Sequence, residues 1–480
     1  SMNTRLEHDL LGSLEVPADA YYGIHTLRAA HNFRISGLRI HPELIRSLAL
    51  VKKACAIANM RTGYLEKHIA DAIVAACDEI AAGRFIDQFI TDTFQGGAGT
   101  SMNMNANEVI ANRAIELLCG KKGDYDIVHP LDHVNLSQST NDVVPTAVKL
   151  TAICLLHGTS RAMADLQSAL QEKEKEFAHV LKVGRTEMQD AVPITLGQEF
   201  SAWAQAVQRD WWRLYKVEER LRQVNLGGTA IGTGLNADRK YVFMVVDILR
   251  DITGIGLARA ENMIDATQNL DAFVEVSGML KSAATNLAKI ASDLRLLSSG
   301  PRAGFNEINL PELQAGSSIM PGKVNPVATE ATSQVAFQIM ANDHAITLAA
   351  MSGQLELNAF IPSLSHNLFQ SLEMLQAAAE LLAEKCIRGI EANEEHTRKM
   401  LEQSFGLVTA FSPYIGYEDA SDLSREAMES GQTIRQLAQE KGLFTKEEID
   451  VILSPSEMTR PGIAGFDILK DKRAELQETE

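Results

Sequence analysis

The stretch DAFVEVSGMLKSAATNLAKIASDLRLLSS, residues 271–299, decides the fold. Within it Phe273, Val276, Leu280, Ala283, Leu287, Ile290, Leu294 and Leu297 follow at spacings of 3, 4, 3, 4, 3, 4 and 3. A heptad seam of that length belongs to a helix that packs along its whole course against other helices. Gly300-Pro301 ends it. A second seam runs Phe200, Trp203, Val207, Leu214, Val217, Leu221, Val224, broken at Asp210 and closed by Gly227-Gly228. A third follows Pro326 with Ala331, Val335 and Ile339. A fourth follows Pro362 with Leu364, Leu368, Leu372, Leu375, Ala379 and Leu382. A fifth covers roughly Thr146 to Leu181. Helices of about 25 residues are about 35–40 Å long at about 1.5 Å per residue. The chain therefore reads as all-α, mainly helical, with a central bundle of long helices.

Three regions result. Residues 1–140 form a mixed, mostly helical domain, with helices expected over Glu43–Met60, Lys67–Ala82 and Asn107–Leu118. Residues 141–393 form the long-helix domain. Residues 394–480 form a small helical domain, in which Thr445 and Glu448 fit a capping box and Pro455 to Gly462 reads as loop.

Composition narrows the function. The 480 residues are 45% hydrophobic and 22% charged, the balance of a globular enzyme. Asp and Glu number 62 against 45 Lys and Arg, a net charge of −17. Nucleic acid and anionic membrane surfaces are thus unsuitable partners. No uninterrupted apolar run reaches membrane-spanning length. Cys55, Cys77, Cys119, Cys154 and Cys386 are scattered, without a C-x-x-C, so they read as reduced core residues of a cytoplasmic protein. Ser1 ahead of Met2 reads as a cloning remnant, and no apolar signal core follows.

The chemistry should sit in the polar, glycine-bearing loops. Gly96-Gly97-Ala98-Gly99-Thr100-Ser101 and Ser137-Gln138-Ser139-Thr140-Asn141-Asp142 each lead into a helical pattern. They place hydroxyls and amides beside free helix N–H groups, a setting for anions. Gly316-Ser317-Ser318-Ile319-Met320-Pro321-Gly322-Lys323-Val324-Asn325-Pro326 adds a cation and an amide between glycines, and Gly184-Arg185-Thr186-Glu187 lies beside these in type. Each segment alone reads first as structure: a Ser-Thr-Asn run is a cap, Gly-Gly-x-Gly a bend, Lys323 a solvated charge. His129-Pro130-Leu131-Asp132-His133 has metal-like spacing, but its proline makes it loop. No metal site and no Ser-His-Asp triad is indicated.

Together the segments resemble the fumarase/aspartase superfamily. The signature is GSSIMPGKVNP, residues 316–326, and the other segments fall in the family's order from Val16-Pro17-Ala18-Asp19 onward. Tyr21 to Arg28, Leu294 to Gly316, and Asp190-Ala191-Val192-Pro193 with Leu196 to Phe200 are most similar to the aspartate ammonia-lyase branch. That resemblance implies a three-domain fold completed by a homotetramer with sites shared between subunits. It implies reversible loss of ammonia from L-aspartate to give fumarate, through an aci-carboxylate and with no organic cofactor. Activation by a divalent cation stays open.

The roles it implies are these. Ser317 is the base and Ser318 a donor beside it. Thr100, Ser139, Thr140 and Asn141 hold the carboxylate on which charge develops. Thr186, Lys323 and Asn325 hold the rest of the substrate, the last two at its α-carboxylate. Glu187 departs from the family, which has His or Gln there. It either pairs with a cation such as Arg185 or faces the substrate's ammonium. Glu330 matches the carboxylate that partners the family's His. The rivals are a fumarase acting on L-malate and a non-catalytic protein on the same fold.

Overall fold

The computed structural model describes residues 3–478, so Ser1 and Met2, where the cloning remnant is expected, lie outside the described residues. A hairpin of β1 (Thr4–Asp9) and β2 (Gly12–Pro17) opens the chain. Helices α1 (Ile24–Asn32), α2 (Pro42–Arg61), α3 (Lys67–Ala81), α4 (Thr100–Leu117) and α5 (Thr140–Glu176) follow. A second antiparallel hairpin, β3 (Leu181–Thr186) and β4 (Gln189–Thr195), precedes α6 (Leu196–Arg222). Then come β5 (Gln223–Val224), α7 (Arg239–Thr253), β6 (Ala258–Arg259), α8 (Met263–Gln268) and α9 (Asp271–Leu297). After these lie β7 (Ile308–Asn309), α10 (Val327–Met351), α11 (Ile361–Leu381) and β8 (Glu391–Ala392). Short helices complete the chain, from Glu394–Gln403 to Phe466–Glu478. Each sheet among the described residues has two strands, so the fold is helical.

Two compact units result, each assembled from separated stretches. One contains Ser1–Arg161, Trp212–Ala284 and Ala336–Gln376; the other contains Ala162–Trp211, Thr285–Val335 and Ala377–Glu480. The limits of these stretches fall within the sequences of α5, α6, α9, α10 and α11. The seam of α9 is buried at all eight positions, from Phe273 at 0% exposure to Leu297 at 6%. Those of α6 and α11 are buried throughout as well. Asp210, the break in the second seam, is fully buried, and Asn286 donates to its Oδ2 at 2.9 Å.

Along α10 the predicted seam holds at Ile339 and fails at its other two positions. Ala331 is exposed and Val335 half-buried, while Ala328, Thr332, Ala336, Ile339, Asn342, Asp343 and Ile346 face inward. The buried face of α10 is partly polar, which hid it from a hydrophobic pattern. Asp343 accepts from Ser277 at 2.8 Å and Lys281 at 2.9 Å, and Asn342 donates to Ser371 at 3.0 Å. The outward face carries Phe337 (65% exposed), Leu348 (47%) and Met351 (71%).

Other boundaries moved for local reasons. Helix α5 starts at Thr140, ahead of Pro145. Pro145 has no N–H for the carbonyl four residues back, Asn141, and Asn225 Nδ2 supplies that donor instead at 3.0 Å. Helix α4 begins at Thr100, where Gly99 sits at φ 98°, because its polar first turns are buried. Residues Pro130–Val134 form a π-helical turn rather than loop: His129 Nδ1 accepts the N–H groups of Leu131 and Asp132, and proline is tolerated at a first turn. Pro455–Met458 is likewise one turn of helix, while Thr445 and Glu448 form the expected reciprocal cap. Cys119 is exposed, unlike the buried Cys55, Cys77 and Cys386. Helix α5 is long and apolar enough to cross a membrane by length and composition, with mean hydropathy 1.3, but 78% of that window is buried. A core helix meets the same test.

Leu280→Ala in the α9 seam should cost about 2–5 kcal/mol through lost burial and a residual cavity. Chemical or thermal unfolding measures it, and an unchanged midpoint would deny the seam its role.

Candidate active site

In the first unit the predicted residues gather where α4 and α5 begin. Gly99 lies so close to α5 that a Cβ there would sit 2.9 Å from Val144, which leaves room only for glycine. Ser139 Oγ accepts the N–H of Asn141 at 3.1 Å, and Asp142 reaches back to the N–H of Ser139 at 2.9 Å. Asp142 also accepts the N–H of Gly227 at 2.8 Å, and burial pushes its carboxyl up to about 6. Asn141 Nδ2 donates to Ala230 O at 2.7 Å. Thr140 Oγ1 accepts from Asn103 Nδ2 at 3.2 Å. Thr100 differs: its hydroxyl donates to Gly97 O at 2.6 Å, which occupies its proton.

Beneath this loop lies Lys52, fully buried, with its ammonium bonded to Asn135 Oδ1 at 3.0 Å and Gln138 Oε1 at 2.8 Å. Burial lowers its pKa to about 8. Asn59 ties the same loop down through Leu136 O and the Ser137 hydroxyl. Sequence reasoning missed Lys52, Asn59, Asn103, Asn135, Asp142 and Asn225. A usable signal existed on α2, where Leu48, Lys52, Cys55 and Asn59 keep seam spacing, so two polar residues stand in apolar positions.

In the second unit the signature loop has no regular structure and is closed at its base. Asn325 Nδ2 donates to Gly316 O at 3.1 Å, and a Cβ on Gly316 would meet Lys323 O at 1.5 Å. Ser317 Oγ accepts two backbone N–H groups, from Ile319 at 3.1 Å and Met320 at 3.2 Å. Ser318 and Lys323 are exposed. Thr186 and Glu187 lie at the tip of the β3–β4 hairpin, where Glu187 and Met188 take φ values of 54° and 63°. Two consecutive left-handed residues without a glycine are strained, a cost that ordinary turn sequences avoid. No hydrogen bond joins this tip to the signature loop among the described residues.

Arg185 does not serve Glu187. Its guanidinium binds Glu307 Oε2 at 2.5 Å and lies over the Phe305 ring at 4.3 Å. Glu307, 1% exposed, also holds Lys182 at 2.9 Å, and Lys182 reaches Glu199 at 2.5 Å. The pairing expected for Glu187 is therefore replaced by a buried cluster that clamps the hairpin, and Glu187 is exposed. Glu330 pairs with Arg295 at 3.5 Å. A cavity of about 950 Å³ in the first unit, with Lys149, Arg220, Asp265 and Asp271 in its wall, contains none of the candidate residues.

A family model described as a lyase matches residues 12–341, and one described as the fumarase C C-terminus matches residues 407–460. The chain belongs to the fumarase/aspartase family of lyases. This lyase is 52% identical over 466 residues to the aspartate ammonia-lyase of Bacillus subtilis, covering 97% of this chain and 98% of that one. Among solved structures it resembles the crystal structure of fumarate lyase:delta crystallin from Brucella melitensis bound to cobalt. That likeness has a TM-score of 0.93 and 50% identity, and covers 96% of this chain and 100% of the other. It also resembles the recombinant class II fumarase of Schistosoma mansoni, with a TM-score of 0.91 and 36% identity over 96% of this chain and 100% of that one.

Glu307→Gln should lower stability by about 3–5 kcal/mol, because it strips a buried pair of one partner. Combined with Lys182→Met, the loss should be smaller than the sum of the single losses in an unfolding cycle. Strict additivity would show that the two side chains do not act as a pair.

Proposed function

We propose that this lyase catalyses the reversible elimination of ammonia from L-aspartate to give fumarate. The observation that carries the reading is at Ser317, whose oxygen receives two backbone N–H groups inside an intact signature loop. Such donors favour the alkoxide over the hydroxyl, which is what a serine base needs. The base takes the C3 proton and becomes a hydroxyl. The C–H electron pair passes into the neighbouring carboxylate, which becomes an aci-carboxylate with two negative charges. Collapse of that intermediate forms the C2–C3 double bond and breaks the C2–N bond, and the ammonium leaves as neutral ammonia. The substrate's own carboxylate stores the electrons, so no organic cofactor is called for.

Ser139, Thr140 and Asn141 suit the carboxylate that gains charge, since donors at a helix start strengthen as charge develops. Thr100 joins them once its hydroxyl turns from Gly97. Thr186, Ser318, Lys323 and Asn325 hold the remaining polar groups, with Lys323 and Asn325 at the α-carboxylate. Glu187, exposed and without Arg185, is free to meet the α-ammonium. A carboxylate there attracts a cationic leaving group more strongly than the neutral hydroxyl of L-malate.

Fumarate hydration is the second reading, supported by the likeness to the Schistosoma fumarase at 36% identity. The higher identity to an aspartate ammonia-lyase, 52%, favours deamination.

A homotetramer with shared sites is part of the proposal. Phe337, Leu348 and Met351 put an apolar line on the outside of α10, a surface that a second long helix would cover. The exposed hairpin tip and signature loop suit sites completed by other copies. Five free thiols suit a reducing, cytoplasmic setting.

Fumarate absorbance should rise on addition of L-aspartate and stay flat with L-malate. A response to L-malate alone would make the chain a hydratase. Ser317→Ala should keep fold and assembly while kcat falls by at least about 10²-fold, the lower bound of a general-base contribution. Activity close to wild type would move the base elsewhere. Refolding a Thr186 variant together with a Ser317 variant should restore part of the activity, and no recovery in proven hybrids would argue against shared sites.

A further inference from the structure

The buried amides behind the serine loop have a fixed polarity. An ammonium can only donate, so Lys52 forces Asn135 to turn its Oδ1, not its Nδ2, toward it. That same Oδ1 then receives Asn103 Nδ2 and Asn107 Nδ2, each at 3.2 Å. Asn103 is 2% exposed, and with its Nδ2 set in this way it also donates to Thr140 Oγ1 at 3.2 Å. One of the Thr140 oxygen's two lone pairs is thereby occupied. Its own proton has no acceptor among the described residues and can be given only outward.

We propose that Asn103 and Asn135 are positioning residues that make the Thr140 hydroxyl a permanent donor toward a carboxylate of the substrate. This rests on the reading above that Thr140 meets a carboxylate. A hydroxyl free to rotate would present its lone pairs to that carboxylate part of the time, which repels it. The relay runs Lys52 to Asn135 to Asn103 to Thr140, and each step follows from the one before by donor and acceptor count. It costs no reorganisation when charge grows on the bound carboxylate. A fixed donor favours a carboxylate over a neutral amide or alcohol oxygen through the greater strength of a charge-assisted bond.

The test uses succinate, an unreactive dicarboxylate, as a competitive inhibitor of the full-length enzyme. Thr140→Val should raise its inhibition constant about tenfold, the loss of one charge-assisted hydrogen bond. Asn103→Asp keeps the shape but turns an acceptor toward Thr140, so it captures the proton and should raise the constant similarly. The double variant should bind no worse than about twofold below the weaker single one. Asn135→Asp retains an oxygen facing Lys52 and both amides and should stay within about threefold of wild type, whereas Asn135→Leu should match Thr140→Val. Losses that multiply in the double variant would overturn the proposal. So would Asn103→Asp binding succinate like wild type, or Thr140→Val doing so in an enzyme that still consumes aspartate. If Asn103→Asp fails to fold, Asn135→Leu with Thr140→Val completes the same cycle and is judged by the same outcomes. Should wild type leave aspartate untouched, the function reading falls, and calorimetric binding of succinate reads the polarity by itself.

Discussion

An ammonium group with no exposure to water must be given acceptors, and much of the first unit's candidate site is arranged around that need at Lys52. Among the described residues no carboxylate binds it directly. Two side-chain amide oxygens do, from Asn135 and Gln138, and both lie on the loop that leads into α5. The charge therefore pins the loop rather than being cancelled by an ion pair. The first turn of α5 then starts at a set place, with Ser139 and Thr140 presented at the helix end. Asp142, buried a few residues on, is held by backbone N–H groups of Ser139 and Gly227, so each buried charge is solvated by dipoles. A site prepared in this way is already ordered before a substrate arrives, which suits stabilisation of a carboxylate that gains charge.

The second unit solves a different problem with a different device. Its hairpin tip must hold two left-handed residues, Glu187 and Met188, without glycine. The cluster of Lys182, Glu307, Arg185 and Glu199, which holds β3 at both ends, supplies the restraint. Glu307 stands ten residues ahead of Ser317 in the chain, so one buried carboxylate fixes both the hairpin and the segment that leads to the signature loop. The signature loop stays exposed apart from its closed base.

Much of this fold was legible in sequence because long seams are redundant. Eight positions of α9 repeat the same message, and an error at one would not alter it. Helix α10 was misread because it carries two messages. Its buried face includes Thr332, Asn342 and Asp343, and its outer face includes Phe337, Leu348 and Met351, so apolar periodicity pointed between them. The short hairpins offered too few residues for a period-two pattern to register. The signature loop and the serine loop were legible as motifs. The support under the serine loop was not, since Lys52, Asn103, Asn135 and Asn225 are far apart in sequence and reach that loop only after folding. A lysine on an apolar seam was the one trace they left.

Proton transfer at C3 of aspartate is the central step of the proposed reaction. Fumarate and ammonium incubated with the enzyme in D₂O, with the products followed by NMR, test it most directly. The expected product is L-aspartate carrying a single deuterium at C3, formed by the wild type and not by Ser317→Ala. Deuterated malate in place of aspartate, or aspartate formed equally well without the Ser317 hydroxyl, would contradict it.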